Sequence, residues 1–305
     1  MAFACRPQLV WQLRTRTLTL GARTAIMGIV NLTPDSFSGD GLLGRDPDES
    51  VAHALRLLDE GADILDLGGE STRPGAGAGS DRAISVHEEG DRLLPVLEAL
   101  HRERPHAVLS VDTYRAETAR AALVAGAEIV NDVSGFLWDP AMAATCAQAQ
   151  CGVVLTHARG RPDEWRTLPP LPPHAVIPLV RDGLRESLPV ALEAGLHPEN
   201  IVLDPGYGFG KAFEANYALL AGQAELLSIG RPLLAGVSRK AFLGRTLGRL
   251  HGSADVSPRH RDHATLAASV AAILNGASLL RVHAVDSAVE AAAIADAVLA
   301  MAEPD

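Results

Sequence analysis

Eight short apolar runs recur along the chain, each followed by a longer stretch with helical patterning. They cover 24–30, 63–69, 106–112, 128–133, 152–157, 200–206, 232–238 and 278–283. Each is rich in Leu or β-branched residues and lacks strict polar alternation. That suits parallel strands buried on both faces. The intervening segments read as amphipathic or Ala-rich helices, and Gly61, Gly126, Gly195 and Gly276 stand where a helix would hand over to the next strand. A glycine just past a helix takes the left-handed conformation at little cost. Eight strand–helix alternations predict an α/β chain folded as a single-domain (β/α)8 TIM barrel over 24–305, preceded by an N-terminal extension, 1–23. A doubly wound open sheet is the rival reading.

Composition narrows the class. The chain has 305 residues, 47% of them hydrophobic, and a formal charge of −10. That much apolar material argues against general disorder. No Lys/Arg run offers a nucleic-acid footprint, so no nucleic-acid partner is expected. The longest apolar stretch, 264–274, is too short to cross a bilayer, and the N-terminus has no sustained apolar segment of a secretory signal; no membrane partner is expected. Cys5, Cys146 and Cys151 form no C-x-x-C pair, which fits a reducing compartment and a cytoplasmic protein.

If the barrel closes, the carboxyl ends of its strands carry the chemistry. Those ends are polar in every case: Asn31, then Glu70 to Arg73, Asp112, Asn131 with Asp132, His157, Asp204, Ser238 to Lys240, and Arg281 with His283. Helix capping accounts for one such residue but not for eight, since Arg and Lys do not cap helix N-termini. Asp112, Asn131, Asp204 and Lys240 offer the acceptors and donors that read a flat heterocycle. Arg73, Arg281 and His283 suit phosphate oxygens. The pattern suggests a heterocycle at the barrel centre and an anionic leaving group at the rim. The glycines of DPGYGFGKAF (204–213) match neither a dinucleotide fingerprint nor a P-loop.

The segments MGIVNLTPDSFSGDG (27–41), LDLGGESTRPGA (65–76), LSVDT (109–113), IVNDVSG (129–135), IVLDPGYGFGK (201–211), GVSRKAFLG (236–244) and LLRVH (279–283) resemble, in order and across nearly the whole chain, the dihydropteroate synthases of the pterin-binding (β/α)8 family. The resemblance implies a transferase of folate synthesis, in which 4-aminobenzoate displaces diphosphate from (7,8-dihydropterin-6-yl)methyl diphosphate. It assigns Asp112, Asn131, Asp204 and Lys240 to the pterin, with Asp112, Lys240 and Asp204 as the catalytic set. It assigns Asn31, Thr72, Arg73, Arg281 and His283 to the diphosphate, and Pro74, Phe209, Ser238 and Lys240 to 4-aminobenzoate. It implies a Mg²⁺ cofactor at Asn31 and Asp35, sulfonamide sensitivity and a homodimer. Lys211 reads as structural and Trp165 as a loop anchor. The chain departs from the family pattern at Ala158, where a Met is usual, and at Ala284, where an Asp is usual. The alternatives are a non-catalytic pterin-binding paralogue and a methyltetrahydrofolate methyltransferase; a diphosphate-release assay separates them.

Overall fold

A computed structural model describes residues 3–33, 47–72 and 77–301. The chain opens with an antiparallel hairpin of β1 (Leu9–Gln12) and β2 (Thr17–Leu20). Then follow β3 (Ala25–Asn31), α1 (Pro47–Asp59), β4 (Ile64–Gly68), α2 (Val86–Glu103), β5 (Val108–Asp112), α3 (Ala116–Val124), β6 (Ile129–Asp132) and α4 (Met142–Ala149). The second half adds β7 (Gly152–Thr156), α5 (Pro173–Glu193), β8 (Ile201–Asp204), α6 (Phe213–Gly222), β9 (Leu233–Ala235), α7 (Ala241–His251), α8 (Asp262–Leu274), β10 (Ala277–Val282) and α9 (Val285–Ala300). Strands β3 to β10 form a closed barrel, with β10 pairing back onto β3 in parallel, Leu279 opposite Ala25. The eight expected strands are these eight. The four glycines expected after helices, Gly61, Gly126, Gly195 and Gly276, all have positive φ, between 92° and 114°. At Gly126 a Cβ would also stand 2.6 Å from the His101 ring.

The hairpin was not anticipated. Trp11, Leu13 and Leu20 pack into the amino end of the barrel against Met27, Ile64, Val108, Ile129, Val154, Val202, Leu234 and Leu279, one residue from each strand. The Trp11 indole N–H donates to the Asn200 carbonyl at 2.8 Å, so the large ring is buried without an orphaned donor. Arg6 donates to Thr24 Oγ1, the Ala277 carbonyl and Asp296, straddling the β10–β3 seam. The segment before β3 therefore seals the floor.

From that floor upward, strand periodicity of two decides what faces inward. The inner side chains of β4 run Ile64, Asp66; those of β5 run Val108, Ser110, Asp112; those of β6 run Ile129, Asn131; those of β8 run Val202, Asp204; and those of β10 run Leu279, Arg281. The register sets Asp66 beside Ser110, and Asp112 beside Asn131. The barrel interior is thus apolar below and charged above. Asp132 faces the other way and holds the following turn through the Ser134 and Phe136 N–H groups. No helix among the described residues is long and apolar enough to cross a membrane.

Candidate active site

A cavity of about 610 Å³ opens above the charged layer at the carboxyl ends of the strands. Asn31, Thr72, Asp112, Phe209, Ser238, Lys240, Arg281 and His283 all border it. These residues come from the ends of six strands and the loops that follow them, so only closure of the sheet brings them together.

The floor of the cavity is an ion cluster. Arg281 donates from Nε to Asp66 at 2.6 Å and from Nη2 to Asp112 at 2.7 Å. Asp66 also accepts from Ser110 Oγ at 2.6 Å and from the Asn131 amide at 3.0 Å. Burial pushes Asp112 up to about 7; the Asp66 and Glu89 charges add to that, while Arg281 and Lys240 oppose it. Burial also raises Asp204, against the Gly206 N–H, which its carboxylate accepts at 2.7 Å, and against Lys240. For Arg281 burial works against the cation, but Asp66 and Asp112 outweigh it and raise its pKa. Gly236, on the cavity wall, faces Asp204 Oδ2.

Lys240 precedes α7, and its Nζ lies 3.9 Å from the centroid of the Phe209 ring. That contact joins the SRK segment to the β8–α6 loop by a cation–π interaction. Lys211, the other lysine, is buried and donates to the carbonyls of His157, Gly206 and Phe209. It ties the loop that presents Phe209, as its structural reading anticipated. His157 packs against Gly183 with its pKa depressed to about 2 by burial, aided by the Lys211 charge. It is a neutral core histidine. Ser238 Oγ meets His283 Nδ1 at 2.9 Å, so Ser238 orients the imidazole of a chain that has Ala284 beside it.

Of the heterocycle set, Asp112 and Lys240 border the cavity, Asn131 is held on Asp66, and Asp204 faces the Gly236 position on the cavity wall. Arg281 lies apart from its expected grouping: its guanidinium joins the central carboxylates rather than standing at the rim with Thr72. Asp35, Arg73 and Pro74 lie outside the described residues. Asp66 escapes the sequence reading, which takes Glu70 only as a polar strand end and Trp165 only as a loop anchor. Asp66 interrupts an otherwise apolar strand, which was a usable signal. Glu70 borders the cavity, accepts from Tyr114 Oη at 2.9 Å and the Ile84 N–H at 3.0 Å, and forms an ion pair with Arg115 at 3.0 Å. Trp165 borders it too, beside Phe209.

Residues 27–283 match the family described as pterin binding enzyme. Curated relatives include dihydropteroate synthases of Mycobacterium leprae, 42% identical over 88% of this chain and 92% of the relative, and of Synechocystis, 40% identical over 91% of each. Among solved structures, the chain is similar to the Yersinia pestis dihydropteroate synthase in a sulfonamide complex, with TM-score 0.86, 36% identity, and 96% and 99% of the two chains covered. It is also similar to the Xanthomonas albilineans enzyme with 4-aminobenzoic acid, with TM-score 0.82, 40% identity, and 97% and 100% covered. The latter enzyme in complex with 7,8-dihydropteroate matches at TM-score 0.76 and 35% identity, over 98% and 99% of the two chains.

Proposed function

The chain belongs to the pterin-binding enzyme family and is a dihydropteroate synthase, and on that premise we propose how its own residues carry the reaction. The carrying observation is the layer of Asp112, Asp204, Arg281 and Lys240 beneath one cavity. Asp112 and Asp204 accept from the ring N–H and amino group of the pterin, while Asn131 and Lys240 donate to its oxygen and nitrogen. Phe209, Ser238 and Lys240, with Pro74, line the site for 4-aminobenzoate. Asn31, Thr72 and His283, with Arg73, receive the diphosphate, while Arg281 holds Asp66 and Asp112 beneath the pterin.

The exocyclic C–O bond of the pterin methylene breaks, and its electron pair leaves with the diphosphate. Positive charge develops on the methylene and spreads into the ring, where two carboxylates favour it. The aniline nitrogen then forms the new C–N bond, and the surplus proton on that nitrogen passes to the departing diphosphate or to solvent. Because the aniline lone pair is already available, no general base and no covalent enzyme intermediate are needed. Water would compete for the cation, so a closed cavity favours amine capture.

The donor set at the rim fits Mg²⁺ held chiefly by its substrate. Asn31 offers a neutral oxygen at the cavity, Asp35 is the proposed second ligand, and a hard cation that keeps waters and binds diphosphate oxygens needs no larger protein cage. When bound, Mg²⁺ neutralises charge on the leaving diphosphate. A cytoplasmic homodimer completes the proposal. The free thiols of Cys5, Cys146 and Cys151 support the compartment, and exposed Ile294, Val298 and Met301 toward the end of the chain offer an apolar face for a second copy.

Diphosphate release by the purified chain tests the reading. Release that requires 4-aminobenzoate, dihydropterin diphosphate and Mg²⁺ together, with dihydropteroate in equal amount, is expected. Pterin diphosphate bound without release would instead support the non-catalytic paralogue.

A further inference from the structure

We propose that Trp165, on the segment between β7 and α5, forms an outer aromatic wall of the acceptor-amine site and helps select flat aryl amines. The inference rests on the synthase reading above. The Trp165 and Phe209 rings have centroids 5.2 Å apart and planes tilted by 53°. Phe209 in turn carries Lys240 Nζ. Indole, phenyl ring and ammonium therefore form one continuous row, and all three residues border the cavity. Lys240 is the member tied to the strand end beside the pterin carboxylates: its backbone N–H donates to the Val237 carbonyl at 3.3 Å, and the adjoining Gly236 faces Asp204 Oδ2. The row consequently leads away from the pterin, in the direction an acceptor ring joined to the pterin methylene must extend.

The wall is built rather than incidental. The Trp165 indole N–H donates to the Gly160 carbonyl at 3.1 Å, which fixes the ring from behind. The Arg161 N–H donates to the Glu164 carboxylate at 2.7 Å, and Arg159 Nη1 to the Pro169 carbonyl at 2.7 Å, closing the segment on itself. Its base is fastened to the Phe209 loop by the Arg159 N–H, which donates to the Phe209 carbonyl at 3.3 Å. Gly210 permits that approach: a Cβ there would stand 2.4 Å from the Arg159 carbonyl oxygen. The indole is half-buried and borders the cavity. Anchoring the loop thus explains one edge of Trp165 and leaves the rest of the ring for a ligand.

Calorimetric titration of the full chain with pteroate and with 6-hydroxymethylpterin, which lacks the aryl ring, separates the roles. Loss of an aromatic contact predicts that Trp165→Leu weakens pteroate about 2- to 10-fold. Binding of 6-hydroxymethylpterin should be unchanged, and Trp165→Phe should recover most of the pteroate affinity. In turnover, the KM for 4-aminobenzoate should rise by a similar factor while kcat and the KM for the pterin diphosphate hold. Unchanged pteroate affinity in Trp165→Leu overturns the proposal. So does equal weakening of both ligands, which is the signature of a loop anchor only. A wild-type chain that binds neither pterin fails at the synthase reading, and this inference falls with it.

Discussion

Arg281 Nε lies 2.6 Å from Asp66, whose side chain has no solvent exposure, across a sequence separation of 215 residues. Asp66 also accepts from Ser110 and Asn131. One buried carboxylate thereby sets the direction of both an arginine fork and an amide at the proposed pterin position. Removing one partner of a buried pair leaves the other charge unmatched, so Asp66→Ala should cost about 3–5 kcal/mol in urea unfolding. Pterin affinity should fall with it. A variant as stable as wild type, with normal pterin binding, would show that Asp66 aligns nothing.

Asp112 supplies a pH signature. Its ordinary value of 3.8 is raised to about 7, first by burial. Between those values the folded chain holds a proton that the unfolded chain has released. Stability contributed by this group is therefore present at low pH and declines as pH rises through the window. Asp112→Asn should flatten that part of the slope, as read from urea unfolding at about pH 5 and about pH 8. Pterin binding should run the opposite way, weakening as the carboxylate is protonated below about 7. A variant with the wild-type slope would assign the titration to another group, with Asp204 the first to examine because its pKa is also raised.

Lys240 is shared by the two proposed substrate sites. Losing a preorganised cationic donor at the reacting centre should lower kcat about 100-fold or more in Lys240→Ala. Steady-state rates with both substrates saturating make the comparison. Retention of wild-type turnover would remove Lys240 from the catalytic set.

Ser238 and His283 act as a pair, 2.9 Å apart. Their single and double alanine variants should be non-additive in kcat/KM, with a coupling of about 0.5–3 kcal/mol. Additive losses would mean that the serine does not orient the imidazole.

Trp11 tests the barrel floor by stability alone. The ring is fully buried and its N–H is paired, so Trp11→Ala should cost about 3–5 kcal/mol by large-to-small truncation. Thermal and urea unfolding would measure it. A loss within the range of surface substitutions would detach the hairpin from the core.

The barrel was legible because its signals are local. Two-sided burial makes each strand apolar, and glycine at a left-handed helix terminus marks the hand-over, so eight units could be counted without knowing a single long-range contact. The polar strand ends were legible for the same reason. The hairpin at 9–20, within the N-terminal extension, was not legible because a short hairpin with mixed burial carries little periodic signal, and its partners are side chains spread over the chain.

Which polar end faces which was decided only by closure. Asp66 meets Arg281, Ser238 meets His283, and Trp165 meets Phe209 because the β10–β3 seam and the loop packing bring them together, not because of any spacing along the chain. Charge state followed from the same step. Asp112 leaves the ordinary carboxylate range because the closed barrel buries it and sets Asp66 and Glu89 near it, with Arg281 and Lys240 only partly opposing the shift, and burial is a property no residue has until the sheet is complete. The sequence by itself determined the repeat, the chemistry available at each strand end and the family; the tertiary structure decided which groups share a charge, which one orients another, and where the cavity lies.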